Sequence, residues 1–503
     1  MVDITIILGG IADALTFINF IFVILGIALG QLVGAMPGIG PVMAMAIAIP
    51  FTFTLSPIVA ISFLVAVNKG ALIGGAVPSI LINVPGTPDA AITALDGYPM
   101  SQQGKAIRAL KMAVYSSVTG DFFSTLTLIT LAPLIAIAAL KMGPIEIFAL
   151  MVFAFSIISG LVGDSMIKGI LSAVLGLMCA TVGLDPQNGT PRFIFGFFQL
   201  YDGLPLVSVA LGSLAVCHIL HRLAAISGDI KSAVSIPKNQ KKEDNSISWA
   251  EYWDCKYTLL KGSFLGVIFG AIPGLDSSAA AFMSYGSAKQ ASKNPESFGK
   301  GNIHGVAAAE SANSAVCGAN LIPMFTLGLP GNVAAALLIS AFIIHGIQPG
   351  PLMFKEQGQL VYSIFATMMF ANVINLIVGL LGLHLWSKVV NAPESLIYSS
   401  SLLLCIVGSY IATGGLFGVA VLLLFAVIGY LMIVFDYSPI VFIIGYFLGE
   451  RIELTLGQTL TIIDGDPLVL LSHPIAILLF GSSLFSVYWF SIRPLRKKMS
   501  EGD

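Results

Sequence analysis

Four Pro-Gly pairs stand inside stretches poor in charge: Pro37-Gly38, Pro85-Gly86, Pro273-Gly274 and Pro330-Gly331. Proline and glycine break helices, and a break within an apolar run frees backbone groups that must find partners. A half-helix that begins there aims N–H groups and a partial positive charge at whatever lies ahead. The carbonyls that end its neighbour can hold a cation. This is chemistry for holding a small anion without cationic side chains. Polar residues follow the breaks: Thr87, then Asp276, Ser277 and Ser278, then Asn332. The candidate substrate-binding set is Pro37, Gly38, Ile39, Gly40, Asn83, Pro85, Gly86 and Thr87, with Gly274, Asp276, Ser277, Ser278, Pro330, Gly331 and Asn332. Any single break can equally be a kink that lets helices approach. Four breaks in duplicate favour a site.

Charged and polar residues near these breaks are the next candidates. Lys69, in "VAVNKGALIGG", lies between two apolar runs, where a lysine costs about 3 kcal/mol to insert. It is either a counter-charge for a substrate carboxylate or a lysine paired with an acid such as Asp89. Glu310 precedes a 44-residue stretch without Asp, Glu, Lys or Arg, and reads as a support behind the site, with Asn313, or as a helix N-terminal charge. Asp276 would repel an anion unless a cation lay between, which places a sodium ion near it. Alternatively it caps a helix starting at Ser277. Asp121, Glu146, Asp164 and Lys168 read as solvated helix-end residues, and His304 and His345 as structural. No H-E-x-x-H or C-x-x-C motif is present, and the 5 cysteines are scattered, so neither a cofactor nor an enzymatic nucleophile is expected.

The elements that must position these residues belong in lipid. The chain has 503 residues, 56% hydrophobic and 10% charged, with a mean hydropathy of +0.93. Soluble domains carry about 25% charged residues. No charged residue occurs in Ala14–Asn68, Ser311–Phe354, Gln357–Ser387, Ser395–Phe435 or Pro467–Ile492. At roughly 20 residues per crossing, the chain is an all-α polytopic membrane protein with about 11–13 spanning helices plus re-entrant or broken ones.

The motifs are written twice. "GQLVGAMPGI" (Gly30–Ile39) returns as "GVIFGAIPGL" (Gly266–Leu275), and "INVPGTP" (Ile82–Pro88) as "LGLPGNV" (Leu327–Val333). "KMGPIE" and "VNAPES" align Pro144 with Pro393, and "YDGLPLV" (Tyr201–Val207) returns as "IDGDPLV" (Ile463–Val469). The order is kept. Residues 1–225 form a first repeat and 255–492 a second. Residues 226–254 are a polar basic cytoplasmic linker, and 493–503, with "RPLRKK", a basic cytoplasmic tail. Duplicated halves are common in secondary transporters. The charge at both ends favours a parallel arrangement, re-entrant hairpins allow an inverted one, and both stay open.

At these motifs the chain resembles the large membrane subunit of the tripartite tricarboxylate transporters, the TctA type. The carrying stretches are "GAMPGIGP", Gly74–Pro99, Gly270–Lys289, "FGKGNIHGVAAAESANSA" (Phe298–Ala315) and Pro323–Pro351. The resemblance implies a multi-pass permease of the bacterial cytoplasmic (inner) membrane that imports carboxylates. It also implies a small TctB-type membrane subunit, a periplasmic TctC-type solute-binding protein, and a sodium ion or proton as coupling ion. This chain departs from the family pattern at Gly74-Gly75-Ala76-Val77-Pro78, which lacks two hydroxyls, at Asp276, and where the usual A-P-E-[AS]-x-N-N reads Ala309-Glu310-Ser311-Ala312-Asn313-Ser314. The alternative function is a channel or another carrier for a small anionic solute, working without a binding protein. No nucleic-acid partner is expected.

Overall fold

The computed structural model describes residues 4–36, 40–85, 87, 89–161, 166–225, 246–273, 275, 277–389 and 394–488. Among these residues the regular structure is helical apart from one two-residue strand pair, Gly183–Leu184 with Pro191–Arg192. Among the described residues five helices are long and apolar enough to cross a membrane, and shorter apolar helices accompany them. The protein is all-α and polytopic.

Two compact units divide the chain, and each takes segments from both sequence halves. One comprises Met1–Ala136 with Ser227–Leu404, the other Ile137–Ile226 with Cys405–Asp503. The four Pro-Gly pairs named above fall within the residue ranges of the first.

The first unit is built from α1 (Phe17–Gly34), α2 (Pro41–Thr52), α3 (Pro57–Ile82), α4 (Ala90–Gln102) and α5 (Ala106–Ala139). From the second half come α6 (Trp249–Asp254), α7 (Lys256–Ala271), α8 (Ser277–Ala291), α9 (Ile303–Ala319), α10 (Leu321–Leu327), α11 (Val333–Ile344) and α12 (Gly358–Val389). Glycines set the closest packing. A Cβ at Gly26, Gly30 or Gly34 of α1 would lie 2.6, 2.2 or 2.3 Å from the carbonyl oxygens of Phe63, Val67 and Ala71 on α3. In the second half Gly262, Gly266 and Gly270 of α7 press in the same way on α9. The carbonyls met are those of Ala308 at 3.2 Å, Ala312 at 2.3 Å and Val316 at 2.9 Å. Each glycine stands 236 positions after its counterpart, and each carbonyl 245. These are the spacings of the first and second Pro-Gly motifs.

The duplication also sets how the broken helices meet. The helix after the first break, α2, packs on α11 of the other half, and its counterpart α8 packs on α4. The halves of this unit are inverted. "VYS" at Val114–Ser116 of α5 returns at Val361–Ser363 of α12, so the two helices are equivalent. Leu110 and Val114, near the start of α5, line one small cavity with Leu383 and Trp386, near the end of α12. Equivalent helices therefore run antiparallel. Of the two basic segments that favoured a parallel arrangement, the tail lies outside the residue ranges of this unit and the linker lysines fall within them.

In the second unit Pro144–Leu161 packs on Pro474–Val487, and Met166–Ala180 on Pro439–Ile463. The latter pair is held by reciprocal glycines, Gly176 against the Phe442 carbonyl and Gly445 against that of Ala173. The strand pair is closed by Asp185, whose Oδ1 accepts from the backbone N–H of Gln187 (2.8 Å) and Asn188 (3.0 Å). Arg192 binds Glu453 through both guanidinium nitrogens, at 2.5 and 3.0 Å.

Candidate functional site: duplicated helix breaks and a buried polar face

The second break of each half is a duplicated helix end. α3 closes on Asn83, in the left-handed region at φ 54°, and α10 closes on Gly328 at φ 69°. Asparagine and glycine are the residues that tolerate this conformation. The next N–H reaches back over the turn in both halves, from Val84 to the Pro78 carbonyl at 3.5 Å and from Leu329 to the Pro323 carbonyl at 3.2 Å. Pro85 and Pro330 then begin the irregular stretch, since neither can continue the ladder.

Beyond these turns the polar residues take defined places. Asn332 Oδ1 accepts from Ala335 N (2.9 Å) and caps α11, while Thr87 O accepts from Ala90 N (3.1 Å) at the start of α4. A Cβ at Gly331 would come 2.8 Å from the carbonyl oxygen of Asn320, where α9 gives way to α10. One at Gly40, the N-cap of α2, would meet the Thr87 methyl at 2.6 Å. Thus Gly40 and Thr87 come together, as do Gly331 and Asn320. Ser277 and Ser278 open α8, with Ser277 buried. Pro37, Gly38, Ile39, Gly86, Gly274 and Asp276 lie outside the described residues, as does Asp164.

Lys69 is fully buried and paired, and its partner differs from the acid expected. Its Nζ donates to Asp121 Oδ1 (2.8 Å) and Oδ2 (2.7 Å), Thr125 Oγ1 (3.2 Å) and Asn372 Oδ1 (2.9 Å). Three helices, α3, α5 and α12, supply this arrangement. Asp121 is therefore no solvated helix-end residue: it sits in the interior of α5 and is 4% exposed. The charge of Lys69 is already matched, so it is not an open counter-charge for a substrate.

Glu310 is likewise mid-helix on α9 and fully buried, which excludes the helix N-terminal reading. It accepts from Thr93 Oγ1 (2.5 Å) on α4 and Ser117 Oγ (2.7 Å) on α5. One turn on, at positions that share its helix face, stand Asn313 and Ser314. Both are buried, and neither Asn313 amide atom nor the Ser314 hydroxyl has a hydrogen-bond partner among the described residues. Further along α9 come Cys317 and Asn320, so a polar strip leads from Glu310 to the fourth break. A buried strip with spare donors and acceptors is equipped to hold a polar solute or ion.

Two participants escaped the sequence reading. Asp96 on α4 is fully buried, and its Oδ1 accepts from the backbone N–H of Gly299 (2.8 Å), Gly301 (2.9 Å) and Asn302 (2.8 Å), while Tyr285 OH donates to Oδ2 (2.8 Å). It anchors the turn between α8 and α9. Asn372, the amide on Lys69, lies in a charge-free run where nothing but its polarity marked it. Elsewhere, Glu146 is buried rather than solvated and contacts His473 Nδ1 (2.6 Å), whereas Lys168, near a helix start, is half-buried and donates to the Phe435 carbonyl oxygen (2.9 Å). His304 sits beside Thr258 (3.2 Å), in keeping with a structural role.

A sequence model described as the Tripartite tricarboxylate transporter TctA family matches residues 20–444. A protein of Agrobacterium vitis, described as an uncharacterized 52.8 kDa protein in the TAR-I ttuC′ 3′ region, is 35% identical over 489 residues. That alignment covers 97% of this chain and 96% of the relative. A second protein of that organism, from the TAR-II ttuC′ 3′ region, is 34% identical over 236 residues, covering 47% of this chain and 98% of its own length. No solved structure matches.

Proposed function

The chain belongs to the tripartite tricarboxylate transporter TctA family, and from that premise we propose that it is the permease subunit of a secondary active, binding-protein-dependent carboxylate importer. The solute is a tricarboxylate or related organic acid. A small TctB-type membrane subunit and a periplasmic TctC-type solute-binding protein complete the transporter in the bacterial inner membrane, with a sodium ion or proton as coupling ion. The protein carries out no covalent chemistry.

The observation that best supports this reading is the pair of matched helix ends, Asn83 and Gly328, inside an inverted repeat. Inverted repeats with broken helices allow one site to face either side of a membrane in turn. Asn313 and Ser314, with polar groups that have no partner among the described residues, carry the buried polar strip toward the fourth break. The breaks contribute backbone N–H groups, which suit carboxylates.

Reconstitution into vesicles tests the reading. With both partner subunits present and an inward sodium or proton gradient, labelled citrate should accumulate above its external concentration. Equilibration without accumulation would instead identify a channel, and uptake that ignores the solute-binding protein would identify a carrier of another kind.

A further inference from the structure

Three of the four buried carboxylates among the described residues of the first unit, which also include Asp89, are balanced in different ways. Asp121 faces the ammonium of Lys69. Asp96 takes three backbone N–H groups and a tyrosine hydroxyl. Glu310 has two hydroxyls, from Thr93 and Ser117, and among the described residues it makes no ion pair. Hydroxyl dipoles stabilise a carboxylate but do not neutralise it, and a buried charge without a counter-charge is costly.

The internal repeat shows where a counter-charge belongs. The carbonyls that face the glycine triplets fix the register of α3 on α9, and in that register Asn68-Lys69 falls on Asn313-Ser314. In the first half Asn68 donates to Cys317 Sγ (3.2 Å) and the Lys69 side chain delivers a positive charge into a cage of oxygens. In the second half serine replaces the lysine. The Asn313 amide and the Ser314 hydroxyl, 1% and 3% exposed, have no hydrogen-bond partner among the described residues and stand one helical turn from a carboxylate that makes no ion pair among them.

We infer that Glu310, Asn313 and Ser314 bind a free monovalent cation, which does in the second half what the tethered ammonium of Lys69 does in the first. The donors are a carboxylate, an amide oxygen and a hydroxyl, a hard oxygen set that suits a small alkali cation and not a thiolate- or imidazole-seeking metal. The site rests on the carrier reading only for its consequence, that cation and solute are linked through one helix face. Cation binding itself requires no solute.

Thermal unfolding of the purified full chain in detergent, without solute, tests it. Sodium or lithium chloride should raise the unfolding midpoint relative to choline chloride at equal ionic strength, by the same amount at two pH values. Glu310→Gln keeps the size and the hydroxyl contacts and should abolish the ion-specific shift. Asn313→Ala should weaken the apparent sodium affinity by about tenfold. Should Glu310→Gln not accumulate, Ser314→Ala removes only an unpartnered hydroxyl and must weaken sodium affinity as well. The inference is overturned if sodium, lithium and choline give one midpoint, if the shift follows pH alone, or if the variants retain the wild-type response. These outcomes leave the uptake experiment untouched, so failure of the cation site and failure of the carrier reading are separable.

Discussion

Lys69 and Ser314 occupy the same position in the two halves of the first unit, and only Lys69 brings a charge there. The ammonium is held by Asp121, Thr125 and Asn372, so helices α3, α5 and α12 are tied at one polar point within an apolar bundle. Removing one partner of such a pair leaves a buried charge, at a typical cost of about 3 to 5 kcal/mol. Replacing both can be close to neutral. Lys69→Met and Asp121→Asn should each sharply lower the yield of folded protein, whereas the double variant should recover most of it. Gel filtration in detergent reads the result. Equal losses in all three variants would show that the charges do not act as a pair.

The glycine triplets allow a mirrored test. A methyl at Gly30 meets the Val67 carbonyl oxygen at 2.2 Å, and one at Gly266 meets that of Ala312 at 2.3 Å. These neighbours are backbone, so the helices themselves must separate. Gly30→Ala and Gly266→Ala should each destabilise by about 2 kcal/mol or more. At Gly286 on α8 a methyl meets nothing within 4 Å, and Gly286→Ala should be neutral or slightly stabilising. Comparable midpoints for all three would refute the close-packed register.

Much of this was legible in the sequence because the motifs that repeat are the ones that cannot vary. Glycines under a facing carbonyl and prolines after a helix end survive duplication, and the spacing between copies equals the register of the packed helices. The charged residues misled for a physical reason. A charge reads as the end of an apolar run, but inside these helices Lys69 pairs with Asp121, and Glu310 accepts from Thr93 and Ser117. Pairing partners come from distant helices, and a linear reading cannot see that Asp121, rather than Asp89, reaches Lys69. Inversion was hidden too, since it is expressed in the relative direction of α5 and α12, which composition does not record.

Asp96 offers a prediction about the turn that leads into the polar face. Three backbone N–H groups converge on one of its oxygens. Asparagine preserves that acceptor and loses the charge and the second oxygen, to which Tyr285 OH donates, whereas alanine strands the N–H groups at about 1 to 3 kcal/mol each. Asp96→Ala should therefore make the loop around Gly299–Asn302 open to proteolysis, and Asp96→Asn should stay near wild type. If Asn and Ala are equally damaging, the negative charge and not the acceptor geometry is what the turn requires.

The linker helix supplies a dependence on pH. Ser248 and Glu251 form a reciprocal cap on α6: the Glu251 N–H donates to Ser248 Oγ, and the Ser248 N–H donates to Glu251 Oε2 at 2.9 Å. Arg108 on α5 pairs with the same carboxylate. Burial raises the Glu251 pKa, but hydrogen bonds from Ser248 and the charge of Arg108 outweigh it and hold it below its ordinary 4.5. A depressed carboxylate contributes stability that is complete above its unfolded value and lost as pH falls through the lower native value. The docking of α6 should hence weaken only in acid, below about 4.5. Glu251→Gln keeps part of the cap without the charge, so its docking should be weaker at neutral pH and insensitive to acid. Trp249 and Trp253 stack at 5.9 Å on this helix, and Trp249 lies 5.5 Å from the Tyr252 ring, so tryptophan emission reports its position. Wild-type emission should shift on acidification while that of Glu251→Gln stays flat. An identical acid transition in both proteins would assign the change to another carboxylate.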